Sequence, residues 1–167
     1  MSILRRRMMP TAVRARLDLP ARDALLAAAA LADGSYAATS RFALHLVGDS
    51  AVTSWPWTDI DRASLDPETS TITVTLVTGD VLALELTSER NRSFAQTLRE
   101  RVQNSVVGSS SLELTSGEIV RVAVRRDPEG ELFSQVIAPG TVDLSDPATA
   151  TVVDDLESRV RQAAGLL

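Results

Sequence analysis

The sequence predicts an α+β fold: an antiparallel sheet closed by a helix, then a β-hairpin and a C-terminal helix. Three observations carry this. Ile72, Val74 and Leu76 alternate with Thr71, Thr73 and Thr75, and Leu82, Leu84 and Leu86 alternate with Ala83 and Glu85. A sheet with one covered face requires this period of two. The period then changes, because Phe94, Leu98, Val102 and Val106 recur every fourth residue, as on the buried stripe of an amphipathic helix. Finally, Asp146-Pro147 followed by Val152, Val153, Leu156, Val160 and Ala163 reads as an N-cap, a proline at the first helical position and a second apolar stripe.

Each element follows in order. Residues 1–22 read as a basic N-terminal arm or short helix, stopped by Pro10 and Pro20. Its arginines resist burial, so the arm is expected to add nothing to the core. Leu25 to Leu31 is alanine-rich, yet the following Asp33-Gly34 is a hairpin signal, which favours a strand over a helix. Tyr36 to Val47 reads as one long strand and Gly48-Asp49-Ser50 as a turn. Ala51 to Trp57 is the next strand, with Pro56 marking an edge or a bulge. Ile60 to Leu65 continues after a break, and Asp66-Pro67-Glu68 turns the chain.

Ser70 to Val77 and Asp80 to Leu86 form a hairpin about Thr78-Gly79. Ser88 is placed to cap a helix running to Val107, with Glu89 near its positive end. Gly108-Ser109-Ser110-Ser111 reads as the end of that helix and a short linker. Glu118 to Arg126 and Glu131 to Ile137 are paired strands about Asp127-Pro128-Glu129-Gly130. The final helix ends at Gly165. The domain plan is thus an arm over 1–22, a sheet and helix over 23–107, and a hairpin plus helix over 108–167 packed on the same core. Hairpin-then-helix occurs twice, and Leu98-Arg99-Glu100-Arg101-Val102 parallels Leu156-Glu157-Ser158-Arg159-Val160. Duplication and the chance likeness of two amphipathic helices both account for that.

Composition excludes whole classes of chemistry. All 17 basic residues are Arg; the chain has no Lys and no Cys, and its one His is His45. Schiff-base and P-loop lysines, thiol nucleophiles, disulfides and cysteine-ligated metals are ruled out. A Ser-His-Asp arrangement would have to use His45, which shares a strand face with Arg41 and reads as a surface residue with no orienting acid in view. Carboxylate pairs at Asp143/Asp146 and Asp154/Asp155 lack the dense ligand spacing of a calcium loop. No metal, cofactor or catalytic residue is predicted, and a small hydrolase ranks last among the functions.

Charge is uneven. Residues 1–22 hold six Arg against Asp18, about +5, while the remainder holds 11 Arg against 21 acids, about −10. The arm therefore suits either its own acidic body or an external anion. Arg5-Arg6-Arg7 and the apolar run Leu25 to Ala32 are separated by charged residues, unlike a secretory signal, and that run is far short of the ~20 residues of a membrane span. A cytoplasmic location is expected.

The binding candidates are Trp55 and Trp57, two apart on a strand, and Arg90, Arg92, Arg99 and Arg101 on one helix. The tryptophans suit core cover first and a stacking platform second. The helix arginines suit a solvated face beside Glu89 and Glu100, or phosphate contacts. Arg125-Arg126 borders a turn and reads as surface charge.

Ala37-Ala38-Thr39-Ser40-Arg41-Phe42-Ala43-Leu44 and Trp55-Pro56-Trp57-Thr58-Asp59-Ile60 make residues 23–107 similar to a bacterial pleckstrin-homology-like (PH-like) domain, closed by its helix. Over nearly its full length the chain resembles a family of small uncharacterised actinobacterial proteins. That resemblance rests on Leu17-Asp18-Leu19-Pro20, the Trp-Pro-Trp strand, Leu98-Arg99-Glu100-Arg101-Val102, Arg125-Arg126 and Ala164-Gly165-Leu166. It implies a sheet of PH-like type. Phosphate-binding members of that class carry basic residues in the first hairpin loop. Here the loop is Ala32-Asp33-Gly34-Ser35, acidic and short, which argues against inositol-phosphate recognition. The expected function is a non-enzymatic interaction module for a protein or peptide partner. The alternative is an adaptor for nucleic acid or anionic surfaces, working through the arm and the helix arginines.

Overall fold

The computed structural model describes residues 9–88 and 91–166. Arg5 to Arg7, Glu89 and Arg90 lie outside the described residues. The chain forms antiparallel sheets with three helices among the described residues, a mixed α+β fold. It divides into two compact units, residues 9–76 with 81–102, and residues 77–80 with 103–166.

The first unit begins with a short helix α1 (Thr11–Arg14) and continues as a seven-strand meander. Strands β1 (Leu25–Ala30), β2 (Tyr36–Ser40), β3 (Ala43–Val47) and β4 (Val52–Pro56) make a four-stranded sheet in sequence order. Strands β5 (Ile60–Asp66), β6 (Thr71–Leu76) and β7 (Val81–Glu85) make a three-stranded one. The 3-10 turn Trp57–Asp59 connects β4 to β5. At the other end an antiparallel bridge joins Leu31 to Leu86. The backbone bonds from Ala32 N–H to Glu85 O and from Thr87 N–H to Ala30 O reinforce it. Gly34 and Gly79 turn the two tight hairpins with φ of 88° and 93°, which residues with a Cβ rarely adopt.

The core of this unit is built from the residues the alternation marked. Ile72, Val74, Leu76 and Leu84 meet Ala29, Leu31, Ala37, Leu44 and Ile60. Helix α2 (Arg92–Ser105) closes it with Phe94, Leu98 and Val102.

Four expectations are corrected here. Tyr36 to Val47 is a hairpin rather than one strand. Ser40 Oγ accepts from the N–H groups of Phe42 and Ala43 (3.3 and 3.1 Å), folding the chain back at Arg41-Phe42. The N-terminal segment does enter a core. Met9 and Leu17 are buried against Ala38 and Val47, with Val13, Leu19, Leu25, Ala28 and Tyr36 around them, and Arg16 donates to the carbonyl of Gly48 in the β3–β4 turn at 2.5 Å. Arg14, Arg16 and Arg22 stay outside while the apolar residues near them pack. Next, Gly108 to Ser111 is no linker but part of strand β8 (Val106–Glu113). Gly and Ser are weak strand formers with little to bury, yet Gly108 to Ser111 pair with Val124 to Arg121 and satisfy the backbone of the neighbouring strand. Last, Val152 and Ala163 are exposed, Val152 to 42%.

In the second unit β9 (Ile119–Arg126) is central, between β8 and β10 (Leu132–Ile137). Helix α3 (Pro147–Ala163) packs across the three strands. The Asp146 side chain accepts from Thr149 N–H at 2.9 Å, so the cap and Pro147 sit where the sequence puts them. Leu156 and Val160 meet Val122 and Val124, and Val153 is also buried. Val153, Leu156 and Val160, three and four apart, line the inward face, and Val152, 100° round the helix from Val153, falls at its margin.

Leu98 is 1% exposed within the first core. Leu98→Ala should therefore cost about 2–5 kcal/mol, as buried large-to-small changes do. Chemical denaturation checks this, and an unchanged midpoint would show that the α2 stripe does not pack.

Candidate functional site

Strand β4 and the turn after it carry both tryptophans. β4 stops at Pro56, and Trp57 opens the 3-10 turn. Trp57 is 6% exposed, and its indole N–H donates to the carbonyls of Ser40 and Arg41 (3.3 and 3.2 Å). Trp55 is half-buried against the same core. The pair does share a side of the chain, but it covers core rather than forming a platform.

The helix arginines are not gathered into one stripe. At 100° per residue, Arg92 and Arg99 flank one side of the buried Phe94-Leu98-Val102 line and Arg101 the other. Arg92 and Arg99 are exposed, Arg101 is half-buried, and Glu100 accepts from Gln96 beside them. Arg90 lies outside the described residues. At the start of α2 a shallow hollow opens between the helix and the end of β5. Leu65, Pro67, Leu86 and Ala95 give it an apolar lining, and Ser88 and Arg92 a polar rim.

Two residues assigned to the surface are buried. Arg125 is 0% exposed on the central strand β9, donating from Nε to Gln135 Oε1 (3.2 Å) and from a terminal nitrogen to Ser105 Oγ (2.8 Å). It is a structural guanidinium, not surface charge.

His45 is 6% exposed. The surface expectation assumed that one face of β3 meets water. Both faces are covered, one by the main core and the other beneath the N-terminal segment. A buried imidazole needs partners, and the strands on either side, β2 and β4, supply them. His45 Nδ1 lies 2.7 Å from Ser54 Oγ on β4, and Nε2 lies 2.9 Å from Ser40 Oγ at the end of β2. Ser40 Oγ donates to Asp23 Oδ2 at 2.7 Å, and Asp23 Oδ1 accepts from Ala24 N–H at 2.9 Å.

This chain assigns the tautomer. The single Ser40 hydroxyl proton goes to the charged and nearer acceptor, Asp23 Oδ2 at 2.7 Å rather than Ala43 O at 3.3 Å, and in that arrangement Ser40 Oγ accepts from Nε2–H. Nδ1 then carries the lone pair, and Ser54 Oγ–H donates to it. No sequence signal placed Asp23, Ser40 or Ser54 beside His45; the residues span 31 positions and meet only through strand pairing.

Burial lowers the pKa of His45 below its ordinary value, and the Asp23 charge partly opposes that. The acidic first hairpin holds up as expected. Asp33 accepts from both the N–H and the hydroxyl of Ser35, 2.9 and 2.6 Å, which keeps its carboxyl below the usual range. Asp143 is likewise committed to Ser145. Among the described residues no group of three or more His, Asp or Glu could hold a metal ion, and no helix is long and apolar enough to cross a membrane.

No family model matches the chain, and comparison with curated proteins and with solved structures gives no match either.

Two predictions arise from this geometry. Trp57→Ala should destabilise the fold by about 3–5 kcal/mol, since it removes a buried aromatic and its indole hydrogen bonds; a wild-type melting curve would refute it. The pH effect of His45 follows from linkage. Its folded pKa lies below the unfolded one, so the unfolded chain binds more protons in the window beneath about 6.5. Stability from this group is complete above that value and declines as pH falls through the window. Denaturation midpoints measured across pH on wild type and His45→Gln should show a decline that the variant lacks.

Proposed function

We propose that residues 23–107 are a PH-like domain and that the protein is a cytoplasmic interaction module acting by binding an extended peptide of a partner protein. Support for the domain assignment comes from architecture. Four strands and three strands in one antiparallel meander, bridged at Leu31 and Leu86 and closed by a following amphipathic helix, fit that class. A fold by itself fixes no function, so the ligand is argued from the surface.

One observation carries it: the outer edge of β5 runs directly into an apolar hollow. β5 ends its sheet, pairing only with β6 among the described residues. An edge strand presents N–H and C=O groups to any chain that lies alongside. At its end Leu65, 42% exposed, joins Pro67, Leu86 and Ala95 around the hollow against α2. Main-chain pairing would supply affinity and the hollow would select one apolar side chain. The acidic β1–β2 loop remains an argument against phosphate headgroups. The nucleic-acid or anionic-surface alternative rests on the six arginines of residues 1–22, with the α2 arginines divided between two sides.

Selection from a displayed peptide library against the full chain should return extended sequences with alternating apolar residues. Leu65→Asp lies on an exposed rim and should leave the melting temperature unchanged. It should weaken the selected peptides about tenfold, equivalent to about 1.4 kcal/mol. Undiminished binding by that variant would remove the β5 edge as the site.

A further inference from the structure

We propose that Ser54 is an activated nucleophile, forming a covalent ester with activated acyl compounds while His45 serves as its base. This goes beyond peptide docking and uses a different edge. Three observations support it.

The first is the direction of the hydrogen bonds. Asp23 fixes Ser40, Ser40 fixes the Nε2–H of His45, and the Nδ1 lone pair points at Ser54 Oγ, 2.7 Å away. A base oriented by a second group and within hydrogen-bond reach of a hydroxyl is the arrangement that activates a serine. The second is access. Asp23, Ser40 and His45 are sheltered, but Ser54 is exposed. The polar line therefore runs from the interior to one reachable oxygen.

The third is the backbone. Gly48 N–H bonds to Ala51 O in the β3–β4 turn, and Trp57 N–H bonds to Phe42 O beyond the strand. With the register Leu46–Thr53, His45–Ser54 and Leu44–Trp55, alternation makes His45–Ser54 a pair that exchanges no backbone bonds. Such pairs bring side chains closest. They also turn the N–H of Ser54 away from β3, toward the edge that is open among the described residues. That N–H is placed to donate to an oxyanion forming on a group attached to Ser54 Oγ. Pro56, which has no N–H to offer, occupies the next position of the same kind.

The step balances without a cofactor. Ser54 Oγ attacks the ester carbonyl carbon and its proton passes to His45 Nδ1. The tetrahedral oxyanion collapses, the bond to the leaving alkoxide breaks, and the alkoxide takes the proton from Nδ1. Water then attacks the Ser54 ester and gives its proton to Nδ1, which returns it to Ser54 Oγ as the carboxylic acid departs. Asp23 and Ser40 are positioning residues, since neither touches the reacting atoms.

The test is a fluorophosphonate probe on the full chain, read by intact mass and peptide mapping. One adduct is expected at Ser54, at least about tenfold faster than at exposed Ser50, and none at that position in Ser54→Ala. Labelling should slow as pH falls through the His45 pKa and should be about a hundredfold slower in His45→Gln, the usual size of a general-base effect. The wild-type pH profile keeps the proposal testable if that variant fails to fold. Asp23→Asn should move the profile to lower pH, because the Asp23 charge raises the His45 pKa. A purely structural network would not produce that movement. An unlabelled Ser54, labelling no faster than Ser50, or a rate flat across the His45 titration would each overturn the proposal.

Discussion

Strands β1–β3 are packed on both faces while β4 stays largely exposed, and much of the first unit depends on that. One face meets Ile72, Val74, Phe94 and Leu98; the other meets Met9 and Leu17. Alternation assigns Ala27, Ala29 and Leu31 to the first side, and Leu25 and Ala28 to the second, with a register shift between Leu25 and Ala27 absorbing the change. Small side chains suit a strand pressed between two layers. This is why an alanine run that would propagate well as a helix forms a strand instead: burial of both faces outweighs an intrinsic preference worth only tenths of a kcal/mol per residue.

Double cover also changes what a polar residue must do. Ser40 and His45 stand where one-sided cover would have left them in water. Unpaired there, each would cost about 1–3 kcal/mol. The structure meets that demand with one directed line, from the Asp23 carboxylate through Ser40 and His45 to Ser54. Each member has its donor and acceptor roles fixed by the next, and the line ends at the open β4 edge of that sheet. Arg125 answers the same demand in the second unit. It lies in a central strand whose Val120, Val122, Ala123 and Val124 are all buried, and Gln135 and Ser105 accept from its guanidinium.

Local patterns were a sound guide wherever one physical cause acted alone. The β6–β7 alternation, the Gly34 and Gly79 turns, the Phe94-Leu98-Val102 stripe and the Asp146-Pro147 helix start all stand as the residues imply. The failures share a cause as well. Ser40 breaks Tyr36–Val47 by capping two N–H groups, a contact that looks like any other serine in a strand. Gly108 to Ser111 pair as a strand because β9 needs a partner, not because they favour the conformation. Leu17 packs although arginines surround it, because the other face of β1–β3 required cover.

The sequence by itself determined the α+β class, most strand and helix positions, the acidic first hairpin and the absence of lysine and thiol chemistry. Those depend on neighbours within one turn or one hairpin, or on composition alone. Tertiary structure decided which faces are covered twice, which edges stay open, and which polar groups meet. His45 shows the difference. Its type and strand were legible, but its burial depended on tertiary cover of β3, and its hydrogen-bond line on Asp23, Ser40 and Ser54. Hydrogen bonds across three paired strands depend on register and cover, and no local pattern in a chain encodes either one.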